Sequence, residues 1–171
     1  VSGNQNENVN NVKRALDLYP NMTGILAVSG TAGVGESIIS ALKKSGRDPG
    51  SIKVATFDTF DGNKQAFEEG WLAASCGGYT TECLVAFLSL VNRIQGNKIS
   101  DKVVKLSLSP LLITSAEDMD IFSQYVDNKS VQLYSDDLVK SLVGANVKTE
   151  DYQKVLDDWS IDFVKKAVGI N

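Results

Sequence analysis

Three short apolar runs, each leading into a glycine-bearing turn, constrain this chain more than any other feature. Residues 24–28, 52–57 and 71–76 are too short for helices and lack strict polar alternation, the pattern of strands buried on both faces. Between the first two runs, Val34, Ile38, Ala41 and Leu42 recur at helical spacing and Gly46 ends the segment. Ala66 and Phe67 mark a shorter helix before the third run, closed by Gly70. Strands alternating with helices build a parallel sheet, so the fold class is α/β, with right-handed crossovers. Ligands of such sheets collect in the loops beyond the carboxyl ends of the strands. Here those loops are residues 29–33, 58–62 and 77–79.

The flanking segments extend this frame. Residues 7–19 read as a helix with Val9, Val12, Leu16 and Tyr19 inward and Pro20 behind it. Residues 80–95 are strongly amphipathic, with Leu84, Phe87, Leu88, Val91 and Ile94 as the inner face. Residues 103–108 alternate apolar with polar and predict a strand, and Leu111, Leu112 and Ile113 predict another after Pro110. Thr114-Ser115-Ala116-Glu117 has the form of a capping box opening a helix to about Tyr125. Two further helices are predicted over 135–143 and 149–168, the second with Tyr152, Val155, Leu156, Trp159 and Phe163 inward.

Composition narrows the chemistry. The 171 residues suffice for a core, and the chain contains no His and carries a net charge of −4. Without His, the commonest general base, the Ser-His-Asp and Cys-His nucleophile systems and most zinc sites are removed; no metal and no cofactor is expected. Without a basic block, nucleic acid is not an expected partner. No apolar run approaches the roughly 18–20 residues that cross a bilayer. The first residues lack the basic and apolar blocks of a signal peptide, which fits a cytoplasmic protein or a trimmed piece of an exported one. Cys76 and Cys83, seven apart, read as small buried apolar side chains, and their spacing does not decide a disulfide.

Several residues invite a functional reading. The stretch Gly30-Thr31-Ala32-Gly33-Val34-Gly35-Glu36-Ser37 has the glycines of a phosphate-cradling loop, but Glu36 stands where that loop needs Lys. A nucleotide-binding enzyme is therefore disfavoured, and Glu36 is better read as an acidic residue in a first helical turn. Asp58 directly follows a buried strand; it is either a turn cap or a carboxylate placed to accept hydrogen bonds from ligand hydroxyls. Asp61 reads as the cap of the next helix. Phe60 and Tyr79 are either core or aromatic faces for a sugar ring, whereas Phe57 and Trp71 read as structural.

The order of these segments resembles a known family. Pro20-Asn-Met-Thr-Gly-Ile-Leu-Ala-Val-Ser-Gly30, Ile52-Lys-Val-Ala-Thr-Phe-Asp58, Gly70-Trp-Leu-Ala-Ala-Ser-Cys76 and Leu108-Ser-Pro110-Leu-Leu-Ile-Thr114 are similar to successive segments of type 1 periplasmic sugar-binding proteins of ABC importers. The resemblance runs over residues 5–120, about two thirds of the chain. It implies a parallel-sheet βαβ lobe of the type 1 periplasmic-binding-protein fold with extra carboxy-terminal helices. Residues 1–78 would belong to the carboxy-terminal lobe. Residues 79–110 would form a crossover segment whose amphipathic helix belongs to the other lobe, and residues 111–171 a return strand and helical tail. The first lobe would lie before Val1, so that lobe or a second copy should cover the helix at 80–95.

The resemblance also implies a function without catalysis: two lobes closing on a sugar, a modified sugar, a polyol or a signalling molecule, delivered to an ABC permease. It places the protein outside the bacterial cytoplasmic membrane, in the periplasm or as a cell-surface lipoprotein. The alternative is a ligand-sensing domain of a receptor or of a lac-repressor-type regulator. Asp58 matches the family's ligand-binding carboxylate. Ser29, Gly30 and Gly78 stand where members carry Asn, Asp and Gln, so they depart from the pattern while occupying binding positions. Thr31, Thr59, Phe60 and Tyr79 complete the expected ligand-binding set.

Overall fold

The computed structural model describes residues 4–30 and 33–170. The chain divides into two compact units, Val1–Gly77 with Leu112–Asp120, and Gly78–Leu111 with Ile121–Asn171.

The first unit carries the alternation read from the sequence. Helix α1 (Gln5–Leu18) is capped by Asn4, whose side chain accepts from the N–H groups of Asn6 and Glu7. Strand β1 (Gly24–Ala27), helix α2 (Val34–Lys44), strand β2 (Lys53–Phe57), helix α3 (Asn63–Glu68) and strand β3 (Leu72–Gly77) follow. A short β4 (Leu111–Ile113) completes a four-stranded sheet in the order β1-β2-β3-β4. β1 pairs parallel with β2, and β2 parallel with β3, with an irregularity at Val54 and Ala55. Leu16, Ile38, Leu42, Ile52, Val54 and Leu72 form the centre of the core, where α1 and α2 pack together. Burying each such side chain contributes about 1.5–3 kcal/mol.

Three expectations for this unit are corrected. β1 is not buried on both faces: Leu26 is 66% exposed on a sheet face where its neighbours Ala55 and Ala74 are only half-buried, and Val28, just beyond the strand, is 76% exposed. Tyr19 lies beyond the end of α1 and is exposed rather than inward. The capping box is also shifted by one residue. Helix α5 (Ala116–Ile121) is opened by Ser115, which accepts from the Asp118 N–H, while the Asp118 carboxylate accepts from the N–H and hydroxyl of Thr114.

The second unit is helical. It contains α4 (Thr80–Ile94), a π-helical turn (Phe122–Val126), α6 (Asp136–Ser141), α7 (Thr149–Asp157) and α8 (Ile161–Val168). The buried Asn92 of α4 donates to the Leu142 carbonyl at 2.8 Å and to the Tyr152 hydroxyl at 2.7 Å. Its own oxygen accepts from the Gly144 N–H at 2.8 Å. A fully satisfied buried amide of this kind ties α4 to the turn after α6 and to α7. Tyr134, Trp159 and Phe163 pack as an aromatic cluster, their ring centroids 5.4–6.3 Å apart.

Here too the sequence is corrected. Residues 103–108 form no strand, although they alternate. The Gln153 side chain instead takes the Ser107 backbone, accepting from its N–H at 2.9 Å and donating to its carbonyl at 3.1 Å. The helix expected over 149–168 is two helices, because Ser160 caps α8 by accepting from the Phe163 N–H. On α4, only Leu88 of the predicted inner face is fully buried, with Val85, Thr81 and Asn92 beside it, while Phe87 is 62% and Ile94 76% exposed. Cys76 is half-buried and Cys83 exposed, both as free thiols, so the reading of two buried cysteines fails for Cys83.

Candidate functional site

The register of the sheet decides which loops meet. Ala27 of β1 lies opposite Thr56 of β2, and Phe57 opposite Cys76 of β3, so these strands end at one edge. Beyond that edge the Gly30 N–H donates to the Phe57 carbonyl. Gly30 is also pressed against Asp58: a Cβ at Gly30 would stand 2.5 Å from the Asp58 carbonyl oxygen and 2.9 Å from that of Phe57. Only glycine fits there, which gives the departure at this position a steric reason. Ser29, Gly30, Asp58, Thr59 and Phe60 are thereby gathered into one cluster; Gly30 is buried and the other four are half-buried.

Asp58 is the one non-glycine residue with positive φ among the described residues, at 62°. The left-handed region costs an ordinary L-residue about 1–2 kcal/mol, and less for Asp or Asn. Strain of this sort is kept where surrounding contacts over-determine it, commonly at ligand sites. The contacts are present. The Asp58 carbonyl accepts from the Thr56 hydroxyl at 3.1 Å and from the Ser75 hydroxyl at 3.0 Å. Beside them lies Cys76. Burial pushes its thiol pKa up, the Asp58 backbone N–H pulls it down, and the Asp58 charge raises it.

The remaining predicted residues take different places. Thr31 lies outside the described residues. The Phe60 ring packs against the core over Gly35, where any Cβ would collide with it. Its N–H donates to the Asn63 side chain at 3.0 Å, so Asn63, not the exposed Asp61, organises the turn into α3. Gly78 and Tyr79 follow β3 directly and belong to the second unit. The Gly78 carbonyl accepts from the Trp159 indole at 3.0 Å, and Gly78 has φ of 72° with Phe122 and Val126 closing over it. Tyr79 is exposed. In the phosphate-loop look-alike, Ser37 is buried and its hydroxyl donates back to the Gly33 carbonyl, an intrahelical use.

Sequence reasoning missed Thr56 and Ser75. Both lie in apolar runs, where a single hydroxyl carries no recognisable signal. It also read Phe57 as structural, and the ring is exposed at the strand end beside Asp58. Among the described residues, no group of three or more His, Cys, Asp or Glu side chains could hold a metal ion, and no helix is long and apolar enough to cross a membrane. Within the second unit, a cleft of about 580 Å³ lies between the turn after α6, α7 and Phe163.

The 5-methylthioribose transporter solute-binding protein of Thermotoga lettingae, solved in complex with 5-methylthioribose, matches this chain with a TM-score of 0.50 and 18% identity. The fold is that of a solute-binding protein. The match covers 92% of this chain and 46% of that one, so the chain spans about half the length of that solute-binding protein. The expected α/β lobe of this fold is borne out. No family model and no curated protein matches the sequence.

Proposed function

We propose that this chain is the later part of an extracytoplasmic solute-binding component of an ABC importer, taking a sugar or sugar-like solute without making or breaking a bond. The observation that carries the reading is Asp58, an acidic residue held in a costly backbone conformation at the carboxyl end of β2, beside the Gly30 turn. A carboxylate there can accept two hydroxyl hydrogens from a polyol, and charge-assisted bonds of this kind are about twice as strong as neutral ones. Ser29, Gly30, Thr31 and Thr59 are the lesser polar contacts, and Phe60, Gly78 and Tyr79 complete the proposed ligand-binding set. A structural neighbour that binds a modified ribose supports a ligand of that class.

In this reading residues 1–78 form one lobe, residues 79–110 belong to the other, and residues 111–171 return and form a tail. The division of the chain at Gly78 supports that assignment. The exposed Phe87, Leu90 and Ile94 face of α4 is the surface that the amino-terminal lobe or a second copy covers. The loaded protein is read by a permease. Calorimetric titration with 5-methylthioribose and with D-ribose tests the site: Asp58→Ala weakens binding by about tenfold or more. Equal affinity of Asp58→Ala and the parent refutes the assignment.

A further inference from the structure

A carboxylate that recognises hydroxyls must be aimed, and the direction of the Asp58 side chain is set by its backbone. β2 would carry an extended backbone past Phe57; instead the chain turns at Asp58 into the left-handed region. Two hydroxyls hold it there. Thr56 reaches the Asp58 carbonyl from β2 and Ser75 from β3, and the two oxygens lie 3.0 Å from each other. They stand opposite in the register of the sheet and are 3% and 1% exposed. Two hydroxyl hydrogens serve three contacts. Either both point at the carbonyl, or one hydroxyl donates to the other, which then donates to the carbonyl. In each arrangement the peptide after Asp58 is held, while Gly30 blocks the carbonyl from another side. Both residues are too buried to touch a solute.

We propose that Thr56 and Ser75 are positioning residues of the solute site: their buried hydroxyl pair locks the Asp58 peptide and so aims the Asp58 carboxylate. The inference rests on the reading of Asp58 as the solute's acceptor. It is tested on the full chain with Thr56→Val, Ser75→Ala, the double variant, and Thr56→Ser as the conservative control. Two measurements are made on each: the backbone chemical shifts of Asp58 by NMR, which distinguish left-handed from extended geometry, and calorimetric affinity for 5-methylthioribose and D-ribose.

In the folded double variant Asp58 leaves the left-handed region and affinity falls by about tenfold, while Thr56→Ser keeps both parental values. A purely structural role would lower the thermal midpoint and leave the Asp58 shifts and the affinity of the folded protein unchanged. Unchanged shifts, or unchanged affinity once the shifts have moved, overturn the proposal. Should the double variant fail to fold, the single variants decide by the same two criteria, since each retains one hydroxyl. A parent protein that binds neither sugar refutes the solute reading alone, and the Asp58 shifts still decide whether the hydroxyl pair sets the backbone.

Discussion

At most positions alanine is more stable than glycine by about 0.5–1 kcal/mol, because glycine loses more backbone freedom on folding. At Asp58 the order should invert. Its φ of 62° brings any Cβ close to the backbone, at a cost of about 1–2 kcal/mol for an ordinary L-residue. Asp58→Gly and Asp58→Ala both delete the carboxylate, so whatever that group contributes to the fold cancels between them. What remains is the Cβ cost less the glycine entropy, which leaves Asp58→Gly more stable by about 0.5–1 kcal/mol. For a chain of this size about 1 kcal/mol corresponds to roughly 2–4 °C in Tm. Thermal unfolding of the two variants side by side, followed by far-ultraviolet circular dichroism at pH 7, measures it. An Asp58→Ala protein as stable as Asp58→Gly, or more so, refutes the claim that the loop holds this residue left-handed. On the proposed reading of Asp58 both variants are also expected to bind solute about tenfold or more weakly, so stability and function separate at one residue.

Two further predictions follow from the same geometry and from the second unit. Burial and the Asp58 charge both raise the Cys76 pKa, so in a Cys83→Ser background its alkylation at pH 8 is slow; Asp58→Asn removes the charge, lowers that pKa, raises the thiolate fraction and speeds modification. An unchanged or slower rate in Asp58→Asn, measured by mass spectrometry with iodoacetamide, contradicts the placement of the carboxylate beside the thiol. Asn92→Leu strands the Gly144 N–H and leaves the Leu142 carbonyl with the Tyr152 hydroxyl alone as side-chain donor, and is expected to cost about 2–3 kcal/mol in urea denaturation, whereas an exposed change such as Lys129→Ala stays within about 0.5 kcal/mol.

The strands and helices of the first unit were legible because they depend on local periodicity. An apolar run of four to six residues beside a turn cannot be an amphipathic helix, and the helical spacing of Val34, Ile38 and Leu42 cannot be a strand. The same logic failed at residues 103–108, whose alternation is that of a strand. A strand exists only if another chain segment accepts its backbone groups, and here a glutamine 46 residues away satisfies Ser107 instead. Burial was misread at β1 for a related reason: the apolar run of Leu26 and Val28 is the same whether that face of the sheet ends up covered or open.

The candidate site divides along this line. Its acidic residue was visible, since an aspartate just past a buried strand stands out from its neighbours. Its support was not: Thr56 and Ser75 are 19 residues apart and unremarkable in an apolar run, and only parallel pairing of β2 with β3 puts both hydroxyls on one carbonyl. Nor does the sequence distinguish Gly30 from any other turn glycine until the carbonyls of Phe57 and Asp58 are seen to fill the space where a side chain would go. Residue type and spacing are properties of neighbours along the chain. The left-handed turn at Asp58 is instead decided by contacts among segments that only folding brings together.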